Sequence, residues 1–193
     1  MEQNTTPLNP AQTALVVIDL QKGIASMDTK PHASADVISR AAQLAKALRA
    51  KDGTIFWVRV TPSSDKKDAL TPITDAPARS WNMPADWAEL VPELEREESD
   101  FVITKHQWGA FTGTELDLQL RRRGIDTIIL CGISTSIGVE STARFAYELG
   151  YDQVFVEDAC AASSEEEHAA TVNSVFPRMG RVRSTEEVLA MLG

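Results

Sequence analysis

Three polar positions stand where apolar segments end, and their residue types suit proton transfer. Asp19 closes the run Ala14-Leu15-Val16-Val17-Ile18, with Gln21 just beyond it; Lys105 ends the segment Asp100-Phe101-Val102-Ile103-Thr104-Lys105; and Ser134 to Gly138 follow a third apolar run through Ile133. A carboxyl at the end of an apolar strand is partly desolvated, which raises its pKa, while an ammonium nearby lowers it. Asp19 and Lys105 would tune each other, the carboxyl serving as acid or base and the lysine as its electrostatic partner. A structural ion pair or a turn-capping aspartate satisfies the same spacing. The segment Gly132-Ile133-Ser134-Thr135-Ser136-Ile137-Gly138 enters a helical stretch whose first amides lack intrahelical acceptors, a setting suited to an anion or a developing oxyanion. Gly138 admits close backbone approach, or serves plain helix-to-strand packing.

These positions need elements to bring them together. Apolar runs of strand length alternate with longer amphipathic stretches, the pattern of βαβ units and a mainly parallel sheet. Strands are expected at 14–19, 54–60, 100–105, 126–133 and 152–158, with a short one beginning at Arg181. Residues 34–51 read as a helix with apolar positions Val37, Ile38, Ala41, Leu44, Ala45 and Leu48 and a closing Gly53. Further helices are expected before Gly124, from about 137 to 150, after Ser163 or Ser164, and at the C-terminal end. Residues 61–100 hold Pro62, Pro72, Pro77, Pro84 and Pro92 and read as an irregular excursion. The expected fold is a Rossmann-like three-layer α/β/α sandwich with a six-stranded, mainly parallel sheet, in one domain over residues 1–193. Right-handed crossovers in such a sheet place ligands outside the carboxyl ends of the strands, where Asp19, Lys105 and the 132–138 turn all lie.

Composition narrows the partners. Nineteen basic against 28 acidic residues give a net charge of −9, which repels phosphate backbones, so a nucleic-acid role is not expected. Arg121-Arg122-Arg123 before Gly124 reads as a helix end whose cations suit the dipole. No apolar run approaches the roughly 20 residues needed to span a bilayer. Cys131 and Cys160 read as buried small hydrophobes, and the polar start reads as free of a secretory signal, so a cytoplasmic protein without disulfides or membrane contact is expected.

Four segments in order, Val16-Val17-Ile18-Asp19-Leu20-Gln21, TKHQWGAF (104–111), CGISTSIGVESTARFAYELGY (131–151) and VEDACAASSEEEHA (156–169), resemble the isochorismatase-like hydrolases over almost the whole chain. Most of that family are cysteine hydrolases with an Asp-Lys-Cys triad. Asp19 and Lys105 match its first two members, while the residue matching the nucleophilic cysteine is Gly138. A thiol mechanism is therefore disfavoured. Glycine there is similar to the true isochorismatases, which cleave the vinyl ether of isochorismate without a covalent intermediate. The resemblance thus implies that an aspartic acid protonates the enol-ether methylene and that water then adds to the oxocarbenium-like carbon.

The same resemblance implies a cis peptide at Ile133–Ser134, backbone amides of Ser134 and Gly138 aimed at the substrate oxygen, and assembly as a homo-oligomer, a dimer or larger. Gln21, Trp108 and Phe111 are the expected substrate-binding side chains, with Trp57, Trp81 and Trp87 as further walls. Where true isochorismatases tend to read Lys-Trp-Arg-Tyr-Ser-Ala-Phe, this chain has Lys105-His106-Gln107-Trp108-Gly109-Ala110-Phe111, without the arginine and tyrosine; Arg59, Lys66, Lys67 and Arg79 are candidate substitutes as the cation for an acidic substrate, and the sequence aims none of them inward. His32, His106 and His168 are widely separated in the chain; no metal and no cofactor are expected, and His168 reads as a helix-surface or packing residue. The leading expectation is a hydrolase acting on a small acidic or enol-ether metabolite. The rival is a non-catalytic relative that binds a metabolite or serves in an assembly after losing the triad cysteine.

Overall fold

In the computed structural model, residues 6–76 and 83–193 are described. The strand β1 (Thr13–Ile18) is buried at every position, as an uninterrupted apolar run must be when neighbours cover both its edges and both its faces. It pairs in parallel with β2 (Thr54–Val60) on one side and β4 (Thr127–Ile133) on the other. Outside them lie β3 (Phe101–Lys105), β5 (Asp152–Ala161) and β6 (Arg181–Arg183), giving a six-stranded sheet in the order β3-β2-β1-β4-β5-β6 with every pairing parallel. The chain winds outward from β1 to β3 and then returns to β4, so the strand order reverses between β1 and β4. That crevice lies beside Asp19, where doubly wound sheets bind ligands.

Among the described residues, α-helices flank the strands at α1 (Lys22–Ala25), α2 (Ser34–Arg49), α3 (Leu116–Arg122), α4 (Glu140–Glu148), α5 (Glu165–Ala170) and α6 (Thr185–Leu192), the last following β6. The α2 stripe Val37, Ile38, Ala41, Leu44, Ala45 and Leu48 is buried against the sheet, and α2 also packs on α6. On the opposite face α4 covers β5, and α3 is tied to the end of α4 by Arg121, whose Nη2 donates to Leu149 O at 2.6 Å. Arg121 and Arg123 also lie over the rings of Tyr151 and Phe101, at 4.1 and 4.0 Å from their centroids. The arginine cluster thus fastens a helix end.

Two boundaries differ from the spacing-based expectation, each for a local reason. Helix α2 stops at Arg49, and the left-handed turn after it falls on Asp52 (φ 59°) and not on Gly53. Gly53 is needed for space, since a Cβ there would sit 2.4 Å from the Leu48 side chain. The expected helix from 137 begins instead as a wide π segment, Thr135–Val139, that runs into α4. Pro177 similarly breaks the helix after Ser164 into α5, a π segment and a 3₁₀ turn. The described residues of this stretch, 61–76 and 83–100, form the irregular excursion expected, with a 3₁₀ turn at Pro92–Leu94. Its far end is anchored by Asp100, which accepts from Arg49 Nη2 at 2.7 Å, Trp57 Nε1 at 2.9 Å and the Glu97 amide at 2.9 Å. Among the described residues no helix is long and apolar enough to cross a membrane.

Candidate active site

Asp19 leaves β1 in the left-handed region (φ 56°), and its amide still bonds to Val58 O at 2.9 Å, as if the ladder to β2 ran one residue further. The turn directs its carboxyl toward Lys105, which stands opposite Val60 at the end of β3 and reaches back across β2. Lys105 Nζ donates to Asp19 Oδ2 at 2.8 Å and to the Trp108 carbonyl at 2.6 Å. Both charges are enclosed, Asp19 being 4% and Lys105 1% exposed. Burial pushes the Asp19 carboxyl up to about 6, against the downward pull of the Lys105 charge and hydrogen bond. Its second oxygen, Oδ1, is buried and has no hydrogen-bond partner among the described residues.

The third component comes from β4. Gly132 adopts φ 125° with its α-carbon against Ile18, where a Cβ would lie 2.2 Å from the Ile18 carbonyl oxygen, so the two central strands approach closely just before their functional ends. The cis peptide Ile133–Ser134 follows, as the family resemblance implied, and then the π segment. The π segment brings Gly138 over the ion pair. A Cβ at Gly138 would meet Ile18 Cγ2 at 2.9 Å, Asp19 Oδ2 at 3.2 Å and Lys105 Nζ at 3.4 Å. Thr142 Oγ1 donates to Gly138 O at 2.7 Å, which holds the turn from the α4 side. Ser134 Oγ is a second buried polar atom without a partner among the described residues.

Other expected site residues are placed elsewhere. Gln21 is fully buried but already engaged: its Oε1 accepts from the Val60 amide at 2.8 Å, and its Nε2 donates to Val60 O at 3.0 Å and Trp87 O at 3.3 Å. It splices the end of β1 to the end of β2 and has no free donor aimed at a ligand. Phe111 packs on Tyr151, 5.9 Å between ring centroids, toward the end of the sheet where β5 begins, away from Asp19. Trp108 contributes its carbonyl to Lys105 while its side chain is half exposed. Trp57 points to Asp100 at the opposite end of the strands, and the Trp87 ring lies on Gly23. Arg59 bonds to Thr104 Oγ1 at 3.0 Å, and Lys66 and Lys67 sit on an exposed turn. Trp81 and Arg79 lie outside the described residues. Cys131 and Cys160 are buried on neighbouring strands, and desolvation pushes the Cys160 thiol up to about 12 and the Cys131 thiol well above its ordinary value, so neither offers a thiolate.

Two of the three histidines, widely separated in the chain, meet in the fold. His32 and His168 lie edge to face, 5.7 Å between centroids, and each places Nε2 next to Glu157 Oε1, at 3.1 and 3.3 Å. His168 is 4% exposed, and its Nδ1 is 2.9 Å from Thr135 Oγ1 in the turn beneath Gly138. Hydrogen bonds from the two imidazoles, His168 foremost, hold the Glu157 carboxyl down to about 2. The sequence carried little sign of this. β5 bulges between Phe155 and Cys160 while β4 advances only from Leu130 to Gly132, and the bulge turns Glu157 out of the alternation that a regular strand would impose.

Residues 13–187 match the isochorismatase domain. The chain is 54% identical over 188 residues to the isochorismatase family protein YwoC of Bacillus subtilis (strain 168), covering 96% of this chain and 97% of that protein. It is 30% identical, over an alignment of 214 residues, to the ureidoacrylate amidohydrolase RutB of Acinetobacter baylyi, covering 96% and 85%. Among solved structures, an isochorismatase family protein from Burkholderia thailandensis superposes with a TM-score of 0.93 at 44% identity, over 97% of this chain and 98% of that one.

Proposed function

The chain belongs to the isochorismatase family of hydrolases, and we propose that it cleaves a small acidic enol ether by direct proton transfer from Asp19, without a covalent intermediate on the protein. The observation that carries this reading is Gly138. Its α-carbon faces Asp19 Oδ2 and Lys105 Nζ within 3.4 Å of where a Cβ would stand, so a side chain there would occupy the space next to the reacting pair; glycine leaves it open and supplies no nucleophile. With both cysteines buried and protonated, no other thiol stands in for it.

The step balances on Asp19, water and substrate alone. Asp19 in its protonated form gives its proton to the methylene carbon of the enol ether, and the ether oxygen stabilises the cation that forms. Water adds to the oxygen-bearing oxocarbenium carbon and returns a proton to the carboxylate; the hemiketal then releases an alcohol and leaves a keto acid. A carboxyl at about 6 is protonated in roughly a tenth of molecules at pH 7, enough for an acid to work near neutrality. Lys105 stabilises the carboxylate left after transfer. The unpartnered Asp19 Oδ1 and Ser134 Oγ supply a hydrogen-bond donor or acceptor for a ligand at no cost in broken protein contacts. The amides of Ser134 and Gly138 complete the pocket as donors to a substrate oxygen.

A second reading has its own support in the likeness to RutB, whose name states amide hydrolysis of ureidoacrylate. With Gly138 in the nucleophile position, amide cleavage would require Asp19 as a base acting on water, and activity would then rise with pH where the acid mechanism makes it fall. The deciding experiment measures release of keto acid from isochorismate and related enol ethers, and of ammonia from ureido acids, by wild type and Asp19→Asn. Enol-ether turnover lost in a folded Asp19→Asn variant supports the proposal. Saturable ligand binding with no turnover of either class would make the chain a non-catalytic binder. The protein is further proposed to act in the cytoplasm as a single domain and a homo-oligomer. The free buried thiols suit a reducing compartment, and Phe145, Tyr147 and Leu149, each 41% or more exposed, offer apolar surface for self-association. Sedimentation of only monomer at micromolar concentration would refute the assembly.

A further inference from the structure

Away from the Asp19–Lys105 pair, three chain segments deliver two imidazoles and a carboxylate to one point. We propose that His32, Glu157 and His168 bind one divalent transition-metal ion of the zinc type, through the two Nε2 atoms and Glu157 Oε1. The three ligand atoms lie within 4.8 Å of one another, and the two imidazole nitrogens stand 3.1 and 3.3 Å from the carboxylate oxygen. A tetrahedral zinc ion with bonds of about 2.0–2.1 Å holds its ligands roughly 3.3 Å apart, a spacing that both imidazole–carboxylate pairs already match. The donor set of two nitrogens and one oxygen suits zinc, cobalt or ferrous iron and not magnesium or calcium, which take oxygen ligands.

The surroundings fix these side chains as a metal site requires. His168 comes from α5 and is held at its other nitrogen by Thr135 Oγ1 at 2.9 Å, an outer contact that sets ring orientation and leaves Nε2 facing inward. Glu157 is turned to the point by the β5 bulge. His32 follows the cis Lys30–Pro31 peptide, and its backbone is secured twice: Lys30 and Ala162 exchange two amide bonds of 2.8 Å, and Thr29 Oγ1 donates to His32 O at 2.9 Å. His168 is buried, while the His32 and Glu157 side chains are 23% and 36% exposed, which gives an ion a route in and a water molecule the fourth position. Because Thr135 belongs to the turn that carries Gly138, a bound ion braces that turn from behind. The proposal is independent of the reaction assigned to Asp19.

Purified protein stripped with a chelator is titrated with Zn²⁺ by calorimetry and with Co²⁺ by visible absorption. Binding of one ion per chain is expected, with the d–d bands of a low-coordinate cobalt centre, a raised melting temperature, and no response to Mg²⁺. His32→Ala, in a half-exposed loop, should weaken Zn²⁺ binding by more than about tenfold, as should the near-isosteric Glu157→Gln, whereas His106→Ala should leave it unchanged. Should the variants fail to fold, X-ray absorption of the Zn²⁺-loaded wild type reads the same question through the imidazole scattering of two histidines. Absence of saturable binding at micromolar metal, binding indifferent to both ligand substitutions, or a spectrum without histidine scattering would overturn the proposal and leave the cluster as two imidazoles donating hydrogen bonds to one carboxylate.

Discussion

If Asp19 delivers the proton, kcat/KM must follow the protonated fraction of its carboxyl, and the structure sets where that fraction changes. Burial lifts the group to about 6, with Lys105 opposing. The protonated fraction is then about 0.9 at pH 5, half at pH 6 and about 0.01 at pH 8, so kcat/KM for an enol-ether acid should fall roughly ninety-fold between pH 5 and pH 8, approaching tenfold per unit above 6. The sign is that of a required acid: activity is present below the folded pKa and lost as pH rises through it. The substrate's own carboxyls ionise near 4 and are already charged across this window, so they do not mimic the effect. Steady-state release of keto acid over pH 5–8 in buffers of constant ionic strength reads the profile directly. Asp19→Asn keeps the shape of the side chain but has no proton to give, and should abolish turnover. A profile that is flat, or that rises through pH 6, would refute the general-acid assignment; a rising profile with an amide substrate would instead favour Asp19 as a base.

Lys105→Met should move the inflection of that profile to higher pH, because both the charge and the hydrogen bond of Lys105 hold the Asp19 carboxyl down; an unmoved inflection would show that the pair does not share a titration. The variant should also lower kcat, since the carboxylate left after proton transfer loses its partner. At the other end of the sheet, Asp100→Asn should cost about 2–3 kcal/mol in urea unfolding, as a buried carboxylate that serves Arg49, Trp57 and the Glu97 amide is replaced by a neutral amide. Burial opposes ionisation of Asp100, but these hydrogen bonds outweigh it and keep its carboxyl below the ordinary value. The stabilisation is therefore complete above about pH 4 and lost as pH falls, so the difference between wild type and variant should shrink in acid. A gap independent of pH would mean that packing, and not the charge, is what Asp100 contributes.

The pair at the centre of the site was legible because two rules of different origin agreed on it. Apolar runs of strand length mark the parallel strands, and doubly wound sheets gather ligands at the carboxyl ends of such strands; Asp19 follows the central β1 and Lys105 ends the edge strand β3. Gly138 stood out as a glycine in the third turn, but its place opposite the pair entered only through resemblance, since nothing in a lone glycine says that its α-carbon faces a carboxylate. Gln21 and Phe111 were misplaced for the opposite reason: they are near the site in sequence, but one side chain is engaged by the backbone of β2 and the other follows its loop back toward Tyr151. Side-chain type tells what a residue can bond, and topology tells which end of the sheet it reaches; neither tells what the loop path has already given it.

The histidines show how much that loop path can decide. His32 is remote in sequence from Glu157 and His168, and regular alternation along β5 would not have turned Glu157 to meet either histidine. What joins them is a pinned loop before α2 and a bulge in β5, two departures from regular structure that periodicity cannot signal, together with the short helix that follows. The π segment of the Gly138 turn and the β5 bulge meet on opposite sides of one ring: Thr135 lies at His168 Nδ1 and Glu157 at His168 Nε2. The two stretches of irregular backbone are therefore coupled through the His168 ring: moving His168 disturbs the turn that places Gly138 over Asp19, and the geometry of the proposed reaction depends on residues that touch neither the acid nor the space left for substrate.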